Sequence, residues 1–445
     1  MRIFLDAYFD NNFGDDLFID LLLKRYPDVL FYCFLGNAPH SVLNRVSEFS
    51  NLVILPKGCV MQKNWNYDAY IMIGGDVLPN GIDYSERIAC MRLVKESGGF
   101  VALLGFSLYV EYGEKTICDL QSMAAIADSI VIRDEISAKR FQKLVPDVRV
   151  IQSTDMVFTA DYHTKKIETE HVLGIIPRRK LYSTDEEHMA YCKSMAMICD
   201  TYLEKNHGSK IRFLAYSTGE YDDRVTAQDI LKLMNNKLNS ELIAYEGNIE
   251  RFIKKVTSCE ALLPTRFHGL VFALIFRIPF VAVPYEVKLE QLLSELSYNG
   301  IQVPYGKEIT SEFTNLVVEN LKSFSVEEET LKTYEAKSRL FFSELDHWIA
   351  NRTQNKQRIN NELICQASAE IVAYKQENLF LNKQILELEK WIQSLKQERM
   401  NFEKQNLELE EMRKIQEIEL CELKQQIIEL KEQLNQLSER GISSE

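Results

Sequence analysis

Through the first 350 residues, short runs rich in β-branched and aromatic residues alternate with longer amphipathic ones. That rhythm belongs to strands joined by crossover helices, so it confines this part of the chain to α/β architecture with parallel sheets. The runs that read as strands in the first part are 2–8, 29–34, 52–55, 68–73, 100–106, 129–132 and 148–151. A polar, charged stretch at 158–171 separates them from a second series at 172–176, 211–216, 241–245, 261–263 and 280–283. Two Rossmann-like, doubly wound domains account for both series, over 1–165 and 166–350, the second ending in closing helices. Ser183-x-x-Glu186 and Ser325-x-x-Glu328 fit capping boxes at helix starts.

Beyond residue 350 the turn signals stop. Every proline lies at or before Pro304, and after Gly306 the only glycine is Gly441. From 371 to 437 one heptad frame holds, with Ile371, Ile385, Ile392, Leu420, Ile427 and Leu434 at a positions and leucine at most d positions. Ile at a with Leu at d predicts a left-handed coiled coil of two parallel strands, with Asn378 and Asn406 setting its register. At 1.5 Å per residue the rod would be roughly 100 Å long. Residues 351–445 are therefore expected to form a coiled-coil tail through which two copies associate. A lone solvated helix would leave the apolar stripe exposed.

Lys and Arg total 52 against 65 Asp and Glu, a net charge of −13. A partner gripped by its phosphate backbone calls for a basic face, so nucleic acid is not an expected ligand. The nine cysteines are scattered and never spaced Cys-x-x-Cys. They predict reduced, buried thiols of a cytosolic protein, neither disulfides nor zinc ligands. Ile3-Phe4-Leu5 meets Asp6 too soon to form the apolar core of a secretory leader. The most apolar stretch, 269–285, is interrupted by Arg277, Pro279 and Pro284 and is shorter than the roughly 20 residues of a span. It predicts a core helix and then a core strand, with no transmembrane segment. The expected location is the cytoplasm, either free or peripheral at the inner face of the membrane.

In open parallel sheets ligands sit outside the carboxyl ends of strands, so the residues that follow each strand are the informative ones. After the first strand, Asn11-Asn12-Phe13-Gly14-Asp15-Asp16 combines a tight-turn glycine with two carboxylates at a helix start. The plain account, preferred for Asp16, is that these carboxylates only complement the helix dipole. Ile73-Gly74-Gly75-Asp76 lets the backbone approach a ligand closely. At Ile132-Arg133-Asp134 the plain account is an Arg133–Asp134 ion pair that fixes the turn. Pro177-Arg178-Arg179 sets guanidinium forks, suited to carboxylate and phosphate oxygens, after the first strand of the second series. Pro264-Thr265-Arg266-Phe267-His268-Gly269 places Arg266 and His268 at a helix N-terminus, already favourable for anions. A core histidine satisfied by a carbonyl is the alternative for His268.

Together, Asn12-Phe13-Gly14-Asp15-Asp16, Gly74-Gly75-Asp76-Val77-Leu78, Arg133-Asp134 with Ser137, Asp155 before Phe158, Arg266-Phe267-His268 and Tyr285-x-x-Lys288 resemble, in order, the motifs of bacterial polysaccharide pyruvyl transferases. The resemblance covers roughly residues 1–300. Gly-Gly-Asp stands where many members have a third glycine, and the heptad tail is no part of the family core. The resemblance implies a GT-B-like pair of domains. It also implies a transferase that moves the pyruvyl unit of phosphoenolpyruvate onto two sugar hydroxyls as a ketal, during cell-surface polysaccharide biosynthesis.

Such a donor carries a phosphate and a carboxylate, and Arg178, Arg266 and Lys288 can supply cations to hold them. Ketal formation needs a proton on the methylene carbon and a base for the attacking hydroxyl. His268, whose side-chain type titrates near working pH, is expected in both roles. Asp15 or Asp76 would orient or deprotonate the acceptor hydroxyl, and Asn12, Gly14, Gly74, Gly75 and Asp76 would form the acceptor-side loops. No Asp-x-Asp triplet or His–Cys cluster points to a metal, and no cofactor is expected beyond phosphoenolpyruvate as donor substrate. The expected partners are that donor, a sugar acceptor carried on a lipid or a nucleotide, and a second copy of the chain. Fold does not fix function, and two other readings fit. One is a nucleotide-sugar-dependent GT-B glycosyltransferase with Glu286 on the ribose hydroxyls. The other is a non-catalytic scaffold whose coiled coil assembles a polysaccharide complex.

Overall fold

The computed structural model describes residues 1–34, 49–55, 66–75, 78–108, 111–160, 168–179, 183–219 and 222–356, with scattered helical positions between 383 and 425. The chain divides into two compact units, Met1–Tyr374 and Lys375–Glu445. The first holds two parallel sheets. Strands β1 (Arg2–Asp6), β2 (Leu30–Phe34), β3 (Leu52–Leu55), β4 (Ala69–Ile73), β5 (Phe100–Phe106), β6 (Ser129–Ile132) and β7 (Ile151–Gln152) lie in the order β3-β2-β1-β4-β5-β6-β7. Strands β8 (Glu170–Ile176), β9 (Lys210–Ala215), β10 (Ser240–Ala244) and β11 (Cys259–Pro264) lie in the order β10-β9-β8-β11. In each sheet the winding reverses beside its first strand, which opens a crevice at the carboxyl ends there. All five residues of β4 and all seven of β5 are buried, as in parallel strands covered on both faces.

The helices are α1 (Phe13–Arg25), α2 (Ser85–Glu96), α3 (Glu114–Ile126), α4 (Glu135–Leu144), α5 (Asp185–Lys205), α6 (Asp223–Leu233), α7 (Ile249–Thr257), α8 (Phe267–Ile275), α9 (Val287–Glu295), α10 (Ser311–Asn320), α11 (Glu328–Ser338) and α12 (Ser343–Lys356). The reason for helix is plain in α7, where Ile249, Phe252, Ile253 and Val256 form one buried stripe and the Asn248 side chain accepts from the Arg251 N–H. The capping box of α5 is Thr184 with Glu187, one residue beyond the expected pair. The box expected at Ser325–Glu328 does not form, because α11 starts after Glu327 with no side-chain cap.

The apolar stretch at 269–285 gives the buried helix α8 and then an extended run beside β11. That run makes one isolated bridge to β11, Leu262 to Phe280, short of a full strand. The closing helices, expected to finish the second domain, cross back to the first sheet. Trp348 stacks on Phe100 of β5 with centroids 5.0 Å apart, Asp346 accepts from Arg25 and Tyr26, and Arg352 pairs with Asp68 at 2.7 Å.

Six described cysteines make no disulfide; Cys33, Cys90, Cys192, Cys199 and Cys259 are buried, and Cys118 is exposed against expectation. Among the described residues no helix is long and apolar enough to cross a membrane. In the second unit the described positions are helical. Leu388, Ile392 and Leu420, at expected a and d positions, are exposed at 55, 47 and 52 %. The other a and d positions of the heptad run lie outside the described residues.

Candidate active site

The site is built where the carboxyl ends of the two sheets meet. Asn12, rather than either aspartate, is the N-cap of α1, its side-chain oxygen accepting from the Gly14 N–H at 3.0 Å. The Phe13 N–H donates across to the Tyr216 carbonyl at 2.8 Å. The Phe13 ring sits among Tyr216, Tyr245, Phe252 and Phe272 with centroids 4.8 to 5.3 Å away. This anchoring carries the first turn of α1, and Asp15 with it, to the start of α8.

His268 is the second residue of α8, and its ring lies directly on Gly14: a Cβ there would stand 1.8 Å from His268 Nδ1. Phe18 and Phe267 meet the ring edge-on, at 5.1 and 5.4 Å. On its far side Nε2 faces Asp155 Oδ2 at 3.6 Å, longer than a hydrogen bond, and among the described residues the buried Nε2 has no hydrogen-bond partner.

Asp155, fully buried after β7, accepts from the Val157 N–H and pairs with Arg133 Nη1 at 3.1 Å. Burial pushes the Asp155 carboxyl up, but His268 and Arg133 outweigh it and hold the group below the ordinary carboxylate range. Arg133 is thus the partner of Asp155. The expected Arg133–Asp134 pair gives way to a different arrangement, in which Asp134 caps α4 and accepts from the Ser107 hydroxyl. Arg133 Nε donates to that same hydroxyl, and Nη2 reaches the Gly75 carbonyl at 3.4 Å. The Arg133 guanidinium lies 4.5 Å above the Phe267 ring. A Cβ on Gly75 would come within 2.5 Å of Nη1, which accounts for glycine at that turn. Gly74 precedes it, its N–H on the Leu104 carbonyl. Asp76 lies outside the described residues.

From the second sheet come Arg178, Arg266 and Lys288. Arg266 grips Asp223 with two hydrogen bonds, Nε to Oδ2 at 2.8 Å and Nη2 to Oδ1 at 2.6 Å. Asp223 also accepts from the N–H groups of Tyr216 and Ser217. Burial opposes the Arg266 charge, but Asp223 more than offsets it and keeps the guanidinium protonated. Lys288 pairs with Glu286 at 2.7 Å. Burial works against the ammonium, and Tyr285 and Glu286 raise its pKa above the ordinary value nonetheless. Burial likewise pushes Glu286 up, while Lys288 draws its carboxyl below the usual range. Arg178 is buried, and its charge acts on Asp223, Tyr285 and Glu286.

Charges from both sheets act on Asp15. Burial raises its carboxyl above the ordinary value, and His268, Lys288, Arg133 and Arg266 all pull it down without cancelling that rise. A half-buried acid from one sheet thus stands among an imidazole and cations from both. Asp223 escaped sequence reading because Asp222-Asp223 at a helix start looks like dipole compensation. Among the described residues no three His, Cys, Asp or Glu side chains gather as a metal site would require. A cavity of about 500 Å³ lies away from this chemistry, lined in part by Asp20, Lys24, Asn51, Asn248 and Glu250.

In fold the protein is similar to the UDP-GlcNAc 2-epimerase of Methanocaldococcus jannaschii, at 10% identity and a TM-score of 0.51 over 76% of this chain and 98% of that one. It is also similar to a provisionally assigned UDP-N-acetylglucosamine 2-epimerase of Listeria monocytogenes, at 10% identity and a TM-score of 0.50 over 80% and 96%. These likenesses establish a GT-B-like, Rossmann-type fold. A family model described as polysaccharide pyruvyl transferase matches residues 12–287, from the cap of α1 to the residue before Lys288 and well over half of the 445 residues. The chain belongs to the polysaccharide pyruvyl transferase family.

Proposed function

We propose that the protein transfers the pyruvyl group of phosphoenolpyruvate to two hydroxyls of a sugar, forming a ketal in cell-surface polysaccharide biosynthesis. The observation that carries this reading is that the first turn of α1 lies on the His268 ring, so that His268, Lys288, Arg133 and Arg266 all act on the charge of Asp15. In the proposed reaction Arg178, Arg266 and Lys288 supply the positive field for the donor's phosphate and carboxylate. Asp223 and Glu286 keep two of those cations in place. His268 gives a proton to the methylene carbon, C3, which becomes a methyl group. Positive charge develops at C2, and the first sugar hydroxyl attacks there while its proton passes to Asp15 or back to His268. The C2–O bond to phosphate breaks, and the second hydroxyl attacks C2. Its proton leaves with phosphate, so one phosphoenolpyruvate and one diol give one ketal and one phosphate.

A nucleotide-sugar donor would call for a carboxylate on the ribose hydroxyls, and Glu286 is instead engaged by Lys288. The test is incubation of the full chain with phosphoenolpyruvate and with lipid-linked or nucleotide-linked sugars, following phosphate and the mass of the sugar product. Phosphate release that depends on both substrates is expected. Turnover with UDP-sugars and none with phosphoenolpyruvate would replace this reading by the glycosyltransferase one.

A further inference from the structure

His268 is held by apolar edges on two sides, by Gly14 below Nδ1, and by a polar neighbour facing Nε2. That neighbour, Asp155, is rigid: Oδ1 accepts from the Val157 N–H at 3.0 Å, and Oδ2 takes Arg133 Nη1 at 3.1 Å. The imidazole acts on two carboxylates, Asp155 from the end of β7 and Asp15 from α1; Arg133 acts on both, and Lys288 and Arg266 act on Asp15. A buried imidazole nitrogen with no hydrogen-bond partner is costly unless it finds one in the working state. Asp155 Oδ2 stands 3.6 Å away, and hydrogen bonds of a catalytic site often tighten only when substrate is bound.

We propose that Asp155 is the positioning residue for His268: its carboxylate accepts the Nε2–H, fixes that tautomer, and leaves Nδ1, on the Gly14 side, as the nitrogen that exchanges protons with substrate. The imidazole comes from the second sheet and the carboxylate from the first, so the pair is completed only by the junction of the two. Arg133 shares the same carboxylate oxygen and keeps it from turning away. The catalytic consequence rests on the pyruvyl transfer reading, but the tautomer does not.

The test uses the full chain labelled with ¹⁵N-histidine, with the His268 signals identified by their loss in His268→Gln. The expected result is a ring protonated at Nε2 in the unsubstituted protein, a shift of the proton towards Nδ1 in Asp155→Asn, and recovery in Asp155→Glu. In turnover, Asp155→Asn should lower kcat on the order of 10²-fold or more, with KM for phosphoenolpyruvate within about threefold. A wild-type ring protonated at Nδ1 overturns the proposal without any variant. So does a tautomer unchanged in a folded Asp155→Asn, which would leave Asp155 as a structural partner of Arg133 alone. An Nε2-protonated ring upholds the positioning role even if the reaction proves to be other than pyruvyl transfer.

Discussion

A Cβ on residue 14 would fall 1.8 Å from the His268 ring, so an added methyl must displace either the imidazole or the first turn of α1. Gly14→Ala is therefore expected to lower turnover on the order of 10²-fold while costing about 1–3 kcal/mol of stability, to be read by steady-state kinetics beside thermal melting. His268→Gln should lower turnover on the order of 10²- to 10⁴-fold with the melting temperature nearly kept. A melting temperature that falls in step with activity would mark His268 as a core residue instead. His268, Arg266 and Asp15 could be picked out from sequence because each follows a strand, where open sheets place their ligands. Their partners could not. Asp155 stands among the motif residues of the resemblance with no partner assigned, and Asp223 is not singled out there; both meet their partners only through packing between segments far apart in the chain, and nothing local marks an aspartate as the one that will meet an arginine or an imidazole.

Strands were easier to read than caps. Parallel strands are buried on both faces and show as unbroken apolar runs, so β3, β5 and β6 lie where the sequence pattern puts them. Helix starts depend on which of several adjacent hydroxyl and acidic residues turns inward, and one capping box moved by a residue while the other failed to form. A pattern of apolar residues also hides a buried charge. Arg212 in β9 is 2 % exposed, yet it donates to Glu170, Glu241, the Ser258 hydroxyl and the Lys255 carbonyl. Arg212→Met should lower stability by about 1–3 kcal/mol, because the two glutamates are exposed enough to rehydrate while Ser258 and the carbonyl lose a donor. The hydrogen bond from Arg212 holds Glu170 below its ordinary range. The contribution of that pair is thus present above the unfolded carboxylate pKa and fades as pH falls through the depressed one. Urea unfolding of both proteins should show the gap narrowing below about pH 4.

At the scale of the molecule, the return of α12 to the first sheet decides where the chain can be cut. Ending it after residue 356 keeps Trp348 on Phe100 and Arg352 on Asp68, so the proposed pyruvyl transfer should persist. If the heptads pair two chains in parallel, light scattering should find a dimer before that cut and a monomer after it. A full-length monomer, or a truncated dimer, would assign the apolar stripe to some other partner. Ending the chain near residue 340 should instead destabilise the whole globular unit, since Phe341, Phe342 and Leu345 belong to its buried core. That return was invisible in the sequence, because an amphipathic helix shows which face it buries but not which sheet will receive it. The same feature sets a schedule for synthesis. Phe100 leaves the ribosome long before Trp348, and at about 5–20 residues per second the roughly 250 residues between them take on the order of 10–50 s. The half of the protein that is translated first is thus completed last, and throughout that interval the apolar surface around Phe100 that Trp348 will cover is a target for chaperones and for aggregation.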